Sequence, residues 1–245
     1  MTFSIAARDP RNGWLGVATS SKALAAGGLV PYVKTGVGAI ASQSFVNPYL
    51  GIDGLSLLSD GLPAERVVER LIEGDPGRDL RQLGIVDKEG RVAAYTGQHC
   101  IPWAGHIFGG GYVCLGNILR SEEVVKAMGD SFERSDGEAL YERLMRAIEA
   151  GQEAGGDRRG RQSAGMRIFG DQEYPLCDIR VDDHEDPVPE LRRVLSVFER
   201  EELPYLMASP RRDDYIPYWQ QMMQERDKIE RGLDEEQAVS AVKES

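Results

Sequence analysis

The chain has 245 residues, of which 41% are hydrophobic and 28% charged, enough apolar material for one large packed domain or two small ones. Its 29 basic and 40 acidic side chains give a net charge of −11 and a pI near 4.9. That balance argues against a nucleic-acid binder, which presents a basic face, and against recruitment to an anionic membrane surface.

Residues 2–8 alternate as a strand does, and Asp9-Pro10-Arg11-Asn12-Gly13 supplies turn residues before a second strand over 14–19. After small residues at 23–28, two further strand-like runs cover 29–35 and 38–44. Pro48 and Gly51 open a helix with Leu55, Leu58 and Leu62 on one face. A second helix begins near Pro63 and carries Val67, Val68, Leu71 and Ile72. Residues 83–87 and 91–96, joined by Lys88-Glu89-Gly90, predict a hairpin. Gly109-Gly110-Gly111 reads as a flexible hinge before a strand at 112–115 that ends in Gly116-Asn117. Ser121 is placed as the cap of a helix over 121–129, and 137–152 is an amphipathic helix. A charged, glycine-rich loop at 155–161 leads into strands over 162–169 and 176–181. Asp186 caps a helix over 187–201, with Val188, Leu191, Val194, Leu195 and Phe198 on one side.

Runs of strands alternating with pairs of helices predict sheets covered by helices rather than a regular βαβ array. Residues 202–245, interrupted by Pro204, Pro210 and Pro217, are an extension to a domain over 1–201. Ile216, Trp219, Met222 and Met223 form the sticky face of a short helix there, expected to dock on the domain or on a second copy in a homodimer, before a frayed end. No apolar run reaches the roughly 20 residues of a membrane helix. Met1-Thr2-Phe3-Ser4 has no basic stretch followed by an apolar one, so no signal peptide is expected. Cys100, Cys114 and Cys177 are odd in number and widely spaced, which suits buried thiols in the cytoplasm.

Thr2 is the residue with the most distinctive chemistry. Once Met1 is removed, its α-amine can serve as general base for its own hydroxyl, a poor nucleophile without such help. The plain alternative is a β-branched residue that starts a strand. Lys34 is either a solvated residue at a strand end or the cation that keeps that amine neutral. Asp182, Asp183, His184 and Asp186 tempt a metal reading, but neighbours on a strand point to opposite faces, so a helix-entry turn is preferred. No metal and no cofactor are expected.

The stretch from Thr2 to Asp9, the strand Leu15-Gly16-Val17-Ala18-Thr19-Ser20-Ser21-Lys22 and then Val33-Lys34 resemble the opening of proteasome-type N-terminal-nucleophile hydrolases. Lys34 stands thirty-two positions after Thr2, the spacing of that group's catalytic lysine. Ser20 or Ser21 stands where that group has an aspartate, Gly116-Asn117 replaces a serine-glycine, and Ser163 is placed as the late serine beside the amine. A closer resemblance is to domain-of-unknown-function family 1028. It is carried by Gly36-Val37-Gly38-Ala39-Ile40-Ala41-Ser42-Gln43, Asn47-Pro48, Arg81-Gln82-Leu83-Gly84-Ile85-Val86-Asp87, the run from Gly151 to Ala164, and Val181-Asp182-Asp183-His184.

These resemblances imply a four-layer αββα sandwich of α+β class. They also imply an amidohydrolase acting on a linear amide or small peptide bond, with Thr2 as nucleophile, Lys34 assisting and Asn117 or Ser163 positioning the amine. Ser20, Ser44 and Asn47 are expected beside the substrate, and Asp157 and Arg161 belong to a glycine-rich loop suited to clamping a carboxylate. Two rivals stand beside this: a small-ligand-binding protein on the same fold without catalysis, and hydrolysis by an unrelated residue of the cleft.

Overall fold

The computed structural model describes residues 2–215, 220 and 222–232. Ten strands form two antiparallel sheets. The larger is built from β1 (Thr2–Arg8), β2 (Leu15–Ser21), β7 (Gly105–Gly109), β8 (Tyr112–Asn117), β9 (Ser163–Phe169) and β10 (Pro175–Val181), in the order β10-β9-β2-β1-β8-β7. The smaller has β3 (Pro31–Lys34), β4 (Gly38–Ser44), β5 (Arg81–Asp87) and β6 (Val92–Thr96), in that order.

Alternation along each strand decides what the two faces bury. Ala6, Val17, Val113 and Leu115 of the large sheet meet Val33, Ala39, Ala41 and Val86 of the small one, forming an apolar layer between the sheets. On the outer face of the small sheet, Ile40, Leu83 and Ile85 pack against α2 (Pro48–Ser59) and α3 (Ala64–Gly74), through Leu50, Leu58, Val67 and Leu71. On the outer face of the large sheet lie α4 (Glu123–Arg134), α5 (Leu140–Glu153) and α6 (Pro187–Val197). Phe3 comes within reach of Gly151 there, and Gly16 lies under Leu144. The order of layers is therefore helices, sheet, sheet, helices. A four-residue turn of helix, α1 (Ala26–Leu29), sits on β9 and β2, where Gly27 and Gly165 touch so closely that a Cβ on Gly165 would lie 2.8 Å from the Gly27 Cα.

Several sequence expectations change. Gly110 and Gly111 are the two-residue turn of the β7–β8 hairpin, with Gly111 at φ +74°, not a hinge. Asp186 does not cap α6 with its side chain; its carboxylate faces Arg161 instead. The apolar stripe of 187–201 is helical to Val197, after which Phe198–Glu202 forms a wider π-type turn.

The chain divides into two compact units, Met1–Phe198 and Glu199–Ser245. The second contains α7 (Leu203–Met207) and a helical stretch over 222–232 braced by ion pairs of Arg226 with Glu230 and Lys228 with Glu225. Met222 and Met223 are half-buried, and Met222 lines a cavity with Pro204, Tyr205 and Ala208. Met1, Ile216, Trp219 and the expected frayed end over 233–245 lie outside the described residues. Among the described residues no helix is long and apolar enough to cross a membrane.

Candidate active site

Thr2 pairs with Ser21 on one side and Asn117 on the other, and Ser21 pairs in turn with Ser163. Directly paired residues share a face, so Ser163, Ser21, Thr2 and Asn117 form one polar row across β9, β2, β1 and β8, on the side that faces the small sheet. Thr2 is 6% exposed and its Oγ1 lies 3.2 Å from the Ser21 Oγ. In the next row Ser4 and Thr19 stand together, their oxygens 2.8 Å apart. The apolar layer between the sheets thus gives way to a polar one at this end.

The small sheet answers with amides. The alternation that turns Ala39 and Ala41 inward turns Gln43 inward too, and Gln82, paired with Gln43, follows it. Gln43 Nε2 donates to the Thr2 carbonyl at 3.2 Å and to Gln82 Oε1 at 2.8 Å, while its Oε1 lies 2.6 Å from the Ser4 hydroxyl. Asn117 Nδ2 donates to the same Gln82 Oε1 at 2.9 Å. Gln82 Nε2 reaches the Gly116 carbonyl at 2.7 Å and Thr96 Oγ1 at 3.1 Å. Thr96 Oγ1 stands 2.9 Å from His106 Nδ1. With Thr96 accepting from Gln82, its own proton can go to His106, which suits a neutral imidazole. Burial pushes the His106 pKa down and favours the same state. A continuous polar chain therefore runs between the sheets from His106 to the Thr2 backbone.

The strand ends at this site are strained. Among the described residues Ala25, Ser44 and Ile118 hold positive φ without being glycine, at 53°, 72° and 52°. Ser44 directly follows Gln43, and Ile118 directly follows Asn117. A β-branched residue in this region is costly, and such strain gathers where the surrounding structure serves a function.

The other expected site residues fall as follows. Lys34 is not beside Thr2. It pairs with Gly38 at the far end of β4, five residues and so about 17 Å along the strand from Gln43, and its exposed Nζ donates to Ser59 Oγ at 3.1 Å. Thirty-two positions after Thr2 the chain is at the turn end of the β3–β4 hairpin, and β4 then has to run its whole length to reach the site at Gln43. Ser20 pairs with Phe3 and so faces the helices; Ser21 takes the place beside Thr2. Ser163 belongs to the row, yet its hydroxyl donates to the Ala23 carbonyl at 2.6 Å and accepts from Ala26 N, holding the loop after β2. Asp157 is buried and accepts from Lys22 N at 2.8 Å and Arg159 N at 2.7 Å, which ties the glycine-rich loop to the end of β2. Arg161 pairs with Asp186.

Asn47 caps α2 through Tyr49 N and donates to Asp75. It lines a cavity of about 560 Å³ with Asp53, Arg70 and Asp75, on the outer side of the small sheet. Burial pushes the Asp75 carboxyl up, but hydrogen bonds from Arg81, Gly77 N and Asn47 outweigh it and hold its pKa below the usual value. Arg81 also donates to the Phe45 carbonyl at 2.7 Å, so this ion pair steadies the loop that follows Gln43.

Residue-by-residue reading missed Gln82, Thr96 and His106 as members of the site. The signal was present: Thr2 and Ser4, Thr19 and Ser21, and Gln43 place polar side chains at alternate positions, on the face that elsewhere carries alanine and valine.

Two facing antiparallel sheets, covered by helices and joined at one end by this buried polar layer, define an α+β sandwich protein. The chain belongs to the family of unknown function DUF1028, whose profile matches residues 2–191. It is similar to a protein of that family from Silicibacter pomeroyi, known from a crystal structure, at 30% identity and a TM-score of 0.81, covering 88% of this chain and 97% of the other. Anbu (ancestral beta-subunit) from Yersinia bercovieri aligns at 13% identity and a TM-score of 0.39, over 85% of this chain and 98% of the other. Anbu from Hyphomicrobium aligns at 12% identity and a TM-score of 0.38, over 82% and 97%. No curated protein matches the chain.

Proposed function

We propose that the protein hydrolyses a linear amide or small peptide bond, with Thr2 as an N-terminal nucleophile exposed by removal of Met1. The observation that carries this reading is the polar row that flanks Thr2 with Ser21 and Asn117, backed by the Gln43–Gln82 amides. The free α-amine takes the hydroxyl proton as Oγ1 attacks the amide carbon. That proton passes to the leaving nitrogen as the C–N bond breaks, and water then cleaves the acyl ester on Thr2, returning a proton to Oγ1. Ser21, beside Oγ1, is the side chain placed to orient the hydroxyl, and Asn117 flanks the amine. Lys34 takes no part.

The test begins with mass spectrometry of natively expressed protein for loss of Met1. The Met1-free enzyme is then screened against N-acyl amino acids, ureido acids and short peptides. Thr2→Ala should abolish turnover, Thr2→Ser should retain part of it, and Lys34→Ala should leave it unchanged. Activity should rise with pH as the amine loses its proton, around the ordinary α-amine value of about 7.7–8.0. Retention of Met1 in every native preparation, or undiminished turnover in Thr2→Ala, overturns the assignment.

A second reading, a ligand-binding protein without catalysis, is favoured by one observation: Thr2 is nearly closed off and its hydroxyl is engaged with Ser21. A silent substrate panel together with ligand binding would support it.

A further inference from the structure

We propose that the surface around the Thr2 row takes an anionic amphiphile, specifically an amide with an apolar acyl chain and a carboxylate on its amine side. As a substrate class this rests on the Thr2 hydrolase reading; as a ligand class it stands on the surface alone.

Three chain segments meet at the polar row. Lys22 and Leu24 follow Ser21, Phe45 follows Gln43 by two residues, and Ile118 follows Asn117. The Ile118 amide donates to the Ile101 carbonyl at 2.8 Å and its carbonyl accepts from Arg158 N at 3.3 Å, while Arg120 N donates to the Gly156 carbonyl at 3.2 Å. Leu24, Phe45, Ile101, Lys22, Arg120 and Arg158 are therefore each rooted within a few residues, or one backbone hydrogen bond, of that row. From Ser21 to Asn117 the row crosses two strand spacings, about 10 Å, the span of a short ligand.

Both kinds of side chain are exposed. Leu24, Phe45 and Ile101 are 63%, 58% and 45% exposed. Large apolar groups exposed on segments that converge on one site suit a surface that meets a ligand. Lys22, Arg120 and Arg158 are exposed and form no ion pair among the described residues, whereas Arg159 and Arg161 in the same loop pair with Asp157 and Asp186. The carboxylate nearest to hand, Asp157, is already taken up by Lys22 N, Arg159 N and the Arg159 guanidinium. A chain of net charge −11 thus leaves three unanswered cations rooted beside one polar row. Guanidinium groups beside apolar surface suit a carboxylate joined to a hydrocarbon chain, with the connecting amide carried over Thr2.

Calorimetry on the full chain carrying Thr2→Ala separates binding from turnover. The probes are N-octanoylglycine, its uncharged counterpart N-octanoylglycinamide, and N-acetylglycine. N-octanoylglycine should bind about tenfold or more tightly than either of the others, and more weakly as salt rises. Arg120→Ala with Arg158→Ala should abolish the preference over the glycinamide, and Phe45→Ala should shrink the preference over the acetyl compound. Equal affinities for the three probes, no binding of any, or preferences unchanged in the variants overturn the proposal. Turnover by the Met1-free wild type is read separately. Tight binding without cleavage sinks the hydrolase reading and leaves the ligand class standing, whereas Thr2-dependent cleavage without preference for the anion does the reverse.

Discussion

Ser44 holds a left-handed backbone, φ +72°, at the point where β4 leaves the sheet and hands Gln43 to the site. For a residue with a Cβ this conformation costs about 1–2 kcal/mol, while glycine costs about 0.5–1 kcal/mol in lost chain freedom. Ser44→Gly should therefore stabilise the protein by roughly 0.5–1 kcal/mol, seen as a higher urea midpoint at unchanged slope. A lower midpoint would mean that the backbone there is not strained. If the strain serves the site, the same variant should bind or turn over its ligand less well. At this scale the sequence was readable in part. Thr2 could be singled out from its own amine chemistry, whereas Asn117 and Ser163 came only through the resemblance, and the Ser163 hydroxyl is spent on the loop after β2. Choosing Ser20 over Ser21 failed because one position along a strand reverses the face, and nothing short of the pairing register fixes that parity. Lys34 failed for a related reason: a count along the chain does not say toward which end of a hairpin a residue travels.

Among the elements, β5 carries the side chain at the centre of the contacts between the two sheets, beside Gln43 of β4 and Thr96 of β6. Gln82 accepts from Gln43 and Asn117 and donates to the Gly116 carbonyl. Gln82→Leu keeps the volume but removes the acceptor shared by the Gln43 and Asn117 amides and a donor to the Gly116 carbonyl, at about 1–3 kcal/mol for each buried group left unpaired. A loss of roughly 3–5 kcal/mol is expected in chemical denaturation; a loss below about 1 kcal/mol would mean that the network is dispensable. Arg143 on α5 offers the opposite case. It is 5% exposed over the Phe132 ring, with Nε and Nη1 unpaired, Nη2 on the Phe132 carbonyl at 3.2 Å and the Asp136 carboxylate at 3.7 Å. Arg143→Met should be neutral or stabilising by about 1 kcal/mol, because a poorly paired buried ion is replaced by apolar volume. A clear drop in the urea midpoint would assign the guanidinium a structural share that its contacts do not suggest. The hairpins and amphipathic helices were legible because turn residues and apolar periods are local signals. Strand β7 was not, since its Gly105 and Gly109 carry no strand propensity and its place is fixed by pairing with β8.

For the whole molecule, acid should act in two separate steps. Unfolded histidine has a pKa of about 6.5, and burial holds His106 below that. Between those two values the unfolded chain binds a proton that the folded chain refuses, so stability falls as pH drops below about 6.5 and stops falling once His106 itself is protonated. Protonating Nδ1 also removes the acceptor of the Thr96 hydroxyl, which couples this step to the Gln82 network. The second step belongs to carboxylates. Burial opposes ionisation of Asp9 and Asp75, but hydrogen bonds from Arg11 and Arg81 outweigh it and leave both pKa values lowered. Their stabilisation is fully present above the unfolded aspartate value of about 3.9 and is lost as pH falls through the lower folded values. Urea midpoints measured from pH 8 to pH 3 should therefore decline first below about 6.5 and again below about 4. His106→Phe should flatten the upper decline and leave the lower one, while Asp75→Asn should weaken the lower one alone. An upper decline that survives in His106→Phe would show that the imidazole at the end of the polar chain is not the group that senses acid.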